Sequence, residues 1–187
     1  RLSNSKNYGN VNSETDTLVN LGGFAGGIVA ILETATIENS KNTGNVIGST
    51  NIGGIAGESK GTITQCRNDG QVSKVAGVIC KTVNLGGLVG KNGEAARLSN
   101  SKNYGNVNSE TDTLVNLGGI CGILYNNSIV ELCENNGAIS GSGKEIIPNE
   151  DTNTNCASCT SNNGGSASTD DFGQLNIGII YGKYQEI

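Results

Sequence analysis

A chain of 187 residues with a formal net charge of −5 and a pI near 4.7 lacks the basic face that nucleic acid requires. It holds 29 Gly, one Pro, five Tyr, two Phe and no His, Met or Trp, which excludes a core built on large rings. The absence of His also excludes Ser-His-Asp and Cys-His catalysis and His-ligated metal sites, and no apolar run is long enough to span a bilayer.

The chain opens on "RLSNSKNYGNVNSETDTLVNLGG" (1–23), and the same letters return at 97–119. A catalytic loop is needed once, so a perfect second copy points to construction by repetition. Within it lies a first block, apolar-x-x-small-x-Asn-x-Gly-x-Val. Its copies centre on Asn7, Asn42, Asn68, Asn103 and Asn135, spaced by 35, 26, 35 and 32 residues. A second block follows each first one: "NLGGFAG" (20–26), "NIGGIAG" (51–57), "NLGGLVG" (84–90), "NLGGICG" (116–122) and "NIGIIYG" (176–182).

Short apolar segments between Gly and Asn read as strands and turns rather than helices. The stretch "GGIVAILETATIENS" (26–40) alone could pass for a helix. One repeat cannot bury its apolar side unaided, so neighbours must stack. The expected architecture is all-β: a parallel β-solenoid of about five coils in a single domain. The coils would cover about 1–30, 31–61, 62–96, 97–127 and 128–187, with a long polar insertion at about 140–174 in the last. Leu2/Ile37/Ile63/Leu98/Val130, Val11/Val46/Val72/Val107/Ile139 and Phe24/Ile55/Leu88/Ile120/Ile180 would form inward columns. The recurring Gly suggests positive φ or close packing. The recurring Asn also tolerates the left-handed region, and stacked amides can form a ladder. Asn7, Asn42, Asn68, Asn103 and Asn135 are therefore read as a structural ladder, with a ligand-binding row as the sharper alternative. Because the chain starts inside a repeat without Met, it reads as a fragment of a longer repetitive protein.

The second block also resembles the GLUG motif, named for Gly-Leu-hydrophobic-Gly. Such repeats occur in bacterial surface and secreted proteins, including segments of IgA-cleaving peptidases and large adhesins. The resemblance implies an extracellular repeat module and transfers no catalytic residue. Ile179 departs from it, standing where the second Gly belongs.

Little chemistry is visible. Lys6, Lys41, Arg67 and Lys102, with Glu134 in the fifth copy, make a mild basic stripe, read as a solvated face or as a seat for an acidic glycan. Glu150, Asp151, Asp170 and Asp171 match no calcium-loop spacing, so no metal and no cofactor are expected. Six Cys suggest disulfides and an oxidising compartment. Cys66 and Cys133 fall in one repeat slot two coils apart, at roughly 10 Å, too far to pair. The favoured pairs are Cys66–Cys80, Cys121–Cys133 and Cys156–Cys159, with "CASC" as a redox motif the weaker alternative. Asn126 heads a glycosylation sequon. The expected role is a non-catalytic extracellular stalk or filament segment that self-associates. Its alternatives are an adhesin module for a host glycan or protein, and a spacer in a larger secreted enzyme.

Overall fold

The structure, a computed structural model, describes residues 1–12, 20–24, 27–75, 82–109, 114–125, 127–148, 156–157, 159–162, 165–178 and 181–185. Over 20–24, 27–28, 143–148, 156–157, 165–178 and 181–185 it describes the backbone alone. The fold is a parallel β-solenoid, with no helix among the described residues. The candidate helix at 26–40 instead holds the strands Gly27–Ile28, Ile31–Leu32 and Thr36–Glu38. Gly and β-branched residues interrupt any helical run there; Ile31–Leu32 and Thr36–Glu38 find neighbours in the next turn, and Gly27–Ile28 folds back on Asn20–Phe24.

Successive repeats lie on one another in register. The first ladder runs Leu2–Ser3, Thr36–Glu38, Thr62–Thr64, Arg97–Ser99, Ile129–Glu131, Cys156–Ala157. An amide ladder follows: Lys6–Asn7, Lys41–Asn42, Arg67–Asn68, Lys102–Asn103, Glu134–Asn135, Thr160–Ser161. A valine ladder starts at Val11–Asn12 and continues through Val46–Gly48, Val72–Lys74, Val107–Ser109 and Ile139–Pro148. The second blocks build a glycine ladder from Asn20–Phe24, Asn51–Gly53, Val83–Gly86 and Leu114–Gly118. The strand Gly165–Gly178 pairs with both of these last ladders, joining them into one sheet. A return ladder of Ile31–Leu32, Ala56–Ser59, Val89–Asn92, Cys121–Tyr125 and Tyr181–Gln185 closes the turn. Pairing is parallel throughout, apart from the small hairpin of Asn20–Phe24 with Gly27–Ile28.

Backbone hydrogen bonds therefore run between repeats, and apolar side chains alternate inward. The interior is divided. One apolar cluster includes Ile37, Ile63, Leu98, Val130, Ile55, Leu88 and Ile120. The other holds Val11, Val46, Val72, Val107 and Ile139 against Ile52, Leu85 and Leu117. Along the chain, membership switches between Cys66 and Val72, on either side of Asn68. It switches again between Ile52 and Ile55, across Gly53 and Gly54. At these crossings the backbone of Gly54 lies on the amide of Asn68: a Cβ added to Gly54 would stand 2.2 Å from Asn68 Cγ. The solenoid thus has a polar waist between two apolar lobes. Phe24's side chain and Ile180 lie outside the described residues.

Two local expectations resolve differently from one another. The ladder Asn residues are not the left-handed ones; positive φ falls three residues earlier, at Asn4, Asn39, Gln65, Asn100 and Leu132. This residue makes the corner between the first and amide ladders, and Asn holds it in three of these five copies. The first-block glycines serve close packing: a Cβ on Gly70 would lie 2.0 Å from Gly44 O, and one on Gly105 1.8 Å from Gly70 O. Backbone stacks directly on backbone there, which only Gly permits.

Candidate functional site

The amide ladder is a continuous, buried column of polar side chains. Asn7, Asn42, Asn68, Asn103 and Asn135 are all buried and share one column. Asn7 Nδ2 donates to Asn42 Oδ1 at 2.8 Å, Asn42 to Asn68 at 2.8 Å, Asn68 to Asn103 at 2.9 Å, and Asn103 to Asn135 at 2.9 Å. Asn135 Nδ2 then donates to Ser161 Oγ at 3.2 Å. The second amide hydrogen goes to the carbonyl two residues on, as from Asn68 to Gly70 O at 2.7 Å. Gly70 N–H donates back to Asn68 Oδ1 at 3.2 Å. Donors and acceptors are thereby satisfied, which is what lets a polar column sit inside the fold.

A second amide ladder went unread in the sequence. Asn116 Nδ2 donates to Asn84 Oδ1 at 2.7 Å, and Asn84 Nδ2 to Asn51 Oδ1 at 2.7 Å. It uses the Asn that opens each second block, and it runs the opposite way along the stack, so the two columns of side-chain dipoles offset one another. The signal was present: an Asn begins all five second blocks. Asn51 Nδ2 also reaches Glu58, whose Oε2 accepts from it at 3.4 Å.

Glu58 also lines a surface groove of about 460 Å³ with Lys60, Lys91, Gly93, Glu94, Ala95 and Tyr125. Both of its lysines are paired. Lys91 Nζ lies 3.2 Å from Glu58 Oε1 and 5.4 Å from the centre of the Tyr125 ring, and Lys60 pairs with Glu33 at 3.4 Å.

The basic stripe is real as a column, since Lys6, Lys41, Arg67 and Lys102 stand in register and Glu134 follows. Its charge is largely spent locally. Asp69 takes Lys41 at 2.7 Å and Arg67 at 2.5 Å, and Glu134 takes Lys102 at 2.7 Å. Partial burial pushes the Asp69 carboxyl up, but bonds from Arg67 and Lys41 outweigh it and hold the group below its ordinary value. The bond from Lys102, then that from Asn136, does the same for Glu134.

Cysteines are placed differently from the pairs read in the sequence. No disulfide joins Cys66, Cys121, Cys133 or Cys159, so neither Cys121–Cys133 nor Cys156–Cys159 is bridged. Cys80 lies outside the described residues, and the free Cys66 thiol leaves no Cys66–Cys80 bond. Cys66 and Cys133 fill the slot held by Ser40 and Ser101 and act as serine does there. Cys66 Sγ donates to Thr64 O at 3.2 Å and Cys133 Sγ to Glu131 O at 3.3 Å, as Ser101 Oγ does to Ser99 O at 2.8 Å. Thr160 pairs with Glu134, which places Cys159 on Cys133, while Cys156 falls on Val130 in the first ladder. Register, rather than closeness in sequence, chooses the thiol neighbour. The bond to Cys159, together with burial, pushes the Cys133 thiol far up, and burial, with the Glu38 charge behind it, raises Cys66 to about 11. These are unreactive thiols. No group of three or more metal-ligating side chains occurs among the described residues. Asn126 and Ile179 lie outside them.

No family, curated protein or solved structure matches this chain. Function must therefore be argued from the geometry itself.

Proposed function

We propose that this chain is a non-catalytic extracellular structural segment, a stalk or filament unit that lengthens and associates by stacking coils. The observation that carries this reading is the uninterrupted in-register amide ladder from Asn7 to Asn135, with its polar groups satisfied along the stack axis. Such a column resists bending and slippage and has no natural length limit, because each added coil repeats the same contacts. The five Asn positions support a division into five coils, with Cys156–Ala157 and Thr160–Ser161, inside the polar stretch at about 140–174, stacking as one more rung on the first and amide ladders. The likeness of the second blocks to GLUG repeats supports an extracellular setting.

The alternative is an adhesin module whose stripe or insertion binds a host glycan or protein. The stripe gives it little support, because Lys41, Arg67 and Lys102 already neutralise Asp69 and Glu134. A spacer role in a larger secreted enzyme uses the same rod-like property. Electron microscopy and small-angle scattering of the native material test the proposal: rods or end-to-end strings are expected. Compact, monodisperse particles at every concentration would overturn it.

A further inference from the structure

The corner just before each strand of the amide ladder holds a small side chain: Ser5, Ser40, Cys66, Ser101, Cys133 and Cys159. Members of consecutive coils touch. Ser5 N–H donates to Ser40 Oγ at 3.1 Å, and Cys66 N–H to Ser101 Oγ at 3.0 Å. Cys66 therefore stands between two serines and has no thiol neighbour in this slot. Cys133 and Cys159 are the one place in the slot where two cysteines follow each other.

The backbone holds these two cysteines on one another. Thr160 N–H donates to Cys133 O at 2.9 Å, and Glu134 and Asn135 pair in register with Thr160 and Ser161. Coils spaced by about 4.8 Å put the two Cα atoms inside the range of roughly 4.4–6.8 Å that a disulfide spans. The side chains must close by a few tenths of an ångström to reach the usual Cβ separation of about 3.5–4.5 Å. Both residues are corners outside the paired strands, where the backbone is less constrained than within a ladder. Their thiols are already hydrogen-bonded to each other, and Cys159 packs against the apolar cluster that buries Cys133. Cys121 belongs to the same cluster but comes from the return ladder, stacked between Val89 and Tyr181. Cys156 lies on Val130 in the first ladder.

We infer that Cys133 and Cys159 form a paired-thiol site, converted to an intrachain disulfide by exchange with a low-molecular-weight disulfide of the glutathione type. The exchange starts at Cys159, the half-buried member, because burial shields Cys133 from reagents in solvent. The Cys159 thiol gives its proton to water, its sulfur attacks one sulfur of the glutathione disulfide, and one glutathione thiolate leaves. Cys133 then gives up its proton and attacks Cys159 Sγ, which expels the second glutathione thiolate. Two protein thiols lose two electrons, the glutathione disulfide gains them, and the two protons end on the glutathione thiolates. The second step is intramolecular, so proximity offsets the small thiolate fraction of a buried cysteine. The product clasps Cys156–Ala157 and Thr160–Ser161 to the rung before them and closes the polar stretch between the two cysteines into a loop. None of this depends on coils of different chains assembling.

The test incubates the full chain with a mixture of oxidised and reduced glutathione. Remaining thiols are then alkylated in denaturant, and the peptides are mapped by mass spectrometry without reduction. A Cys133–Cys159 link is the expected result. Alkylated Cys133 and Cys159, or a link from either one to Cys121 or Cys156, would overturn the inference. Cys121→Ser and Cys156→Ser should each keep the link, and its loss from either variant in folded form would also overturn it. Thermal melting gives a second readout. The linked chain should melt at least about 5 °C above the same chain after reduction, and Cys159→Ser should abolish that difference. A linked chain that melts no higher than the reduced one would overturn the clasp.

Discussion

Gly54 and Asn68 touch across the waist of the solenoid, and neither could be larger. A Cβ on Gly54 would lie 2.2 Å from Asn68 Cγ, 2.4 Å from Asn68 Nδ2 and 2.4 Å from Gly87 O. Gly87 stands in the same relation to Asn103, with 2.2 Å to its Nδ2. The second glycine of the "NIGG" and "NLGG" blocks is thus fitted to the ladder Asn of the following first block. Because the contact includes backbone, Gly54→Ala is expected to destabilise by about 3 kcal/mol or more. Gly9→Ala, with open space around it, should change stability by less than about 0.5 kcal/mol. Urea denaturation of the two variants checks this; similar midpoints would contradict the waist.

Position along the amide ladder should set the cost of breaking it. Asn68 is bonded to Asn42, Asn103 and both backbone groups of Gly70. Asn68→Ala strands one Asn42 N–H and the Gly70 N–H and C=O that the Asn68 amide satisfies. It also takes one of two donors from Asn103 Oδ1, so a loss of about 3–5 kcal/mol is expected. Asn7 stands at the edge with one ladder neighbour, and Asn7→Ala should cost about 1–2 kcal/mol. Equal losses in chemical denaturation would remove the argument that the column acts as a linked network.

Two polar side chains sit inside the return ladder without hydrogen bonds among the described residues. The column reads Leu32, Ser59, Asn92, Leu124, and Ser59 Oγ and both amide atoms of Asn92 have no partner. Leu already fits above and below, so Asn92→Leu should stabilise the fold by about 1–2 kcal/mol, reading as a higher thermal midpoint. A lower midpoint would mean that Asn92 is satisfied by an ordered water that the leucine displaces.

The corner residue Leu132 has φ of 52° and is 55 % exposed, while Asn holds the equivalent corner at Asn4, Asn39 and Asn100. A left-handed conformation suits Asn better than Leu. Leu132→Asn is expected to gain about 0.5–1 kcal/mol, since little apolar contact is lost. Loss of stability in a melting experiment would show that the leucine is held by packing after all.

Burial raises the Cys66 thiol from 9.0 to about 11, and this has a signed consequence. Between those pH values the unfolded chain loses a proton that the folded chain keeps, so stability falls as pH rises through the window. The two-unit difference corresponds to about 2–3 kcal/mol. Cys66→Ser, which installs the side chain found at Ser40 and Ser101, should fold normally and lose that part of the alkaline decline. Urea midpoints at pH 8, 9 and 10 for both proteins provide the measurement; parallel declines would assign the effect elsewhere.

The sequence by itself determined the parallel solenoid and which repeat residues share a column. Gly and Asn between short apolar segments disfavour helices, and a periodic pattern sets register because each copy must offer the same face to its neighbour. Asn7 through Asn135 could be aligned from letters alone, and so could the valine column. Contacts made across a coil were decided only by tertiary structure. Gly54 meets Asn68 because the chain turns back upon itself, a matter of path rather than period. Cys159 stands on Cys133 rather than beside Cys156 because parallel register joins equivalent slots and separates near neighbours in sequence. The stripe from Lys6 to Lys102 reads as basic in the letters, and folding sets Asp69 between Lys41 and Arg67 and seats Lys102 on Glu134. Periodicity fixes relations along the stack axis, while relations through the section depend on where each turn carries the backbone.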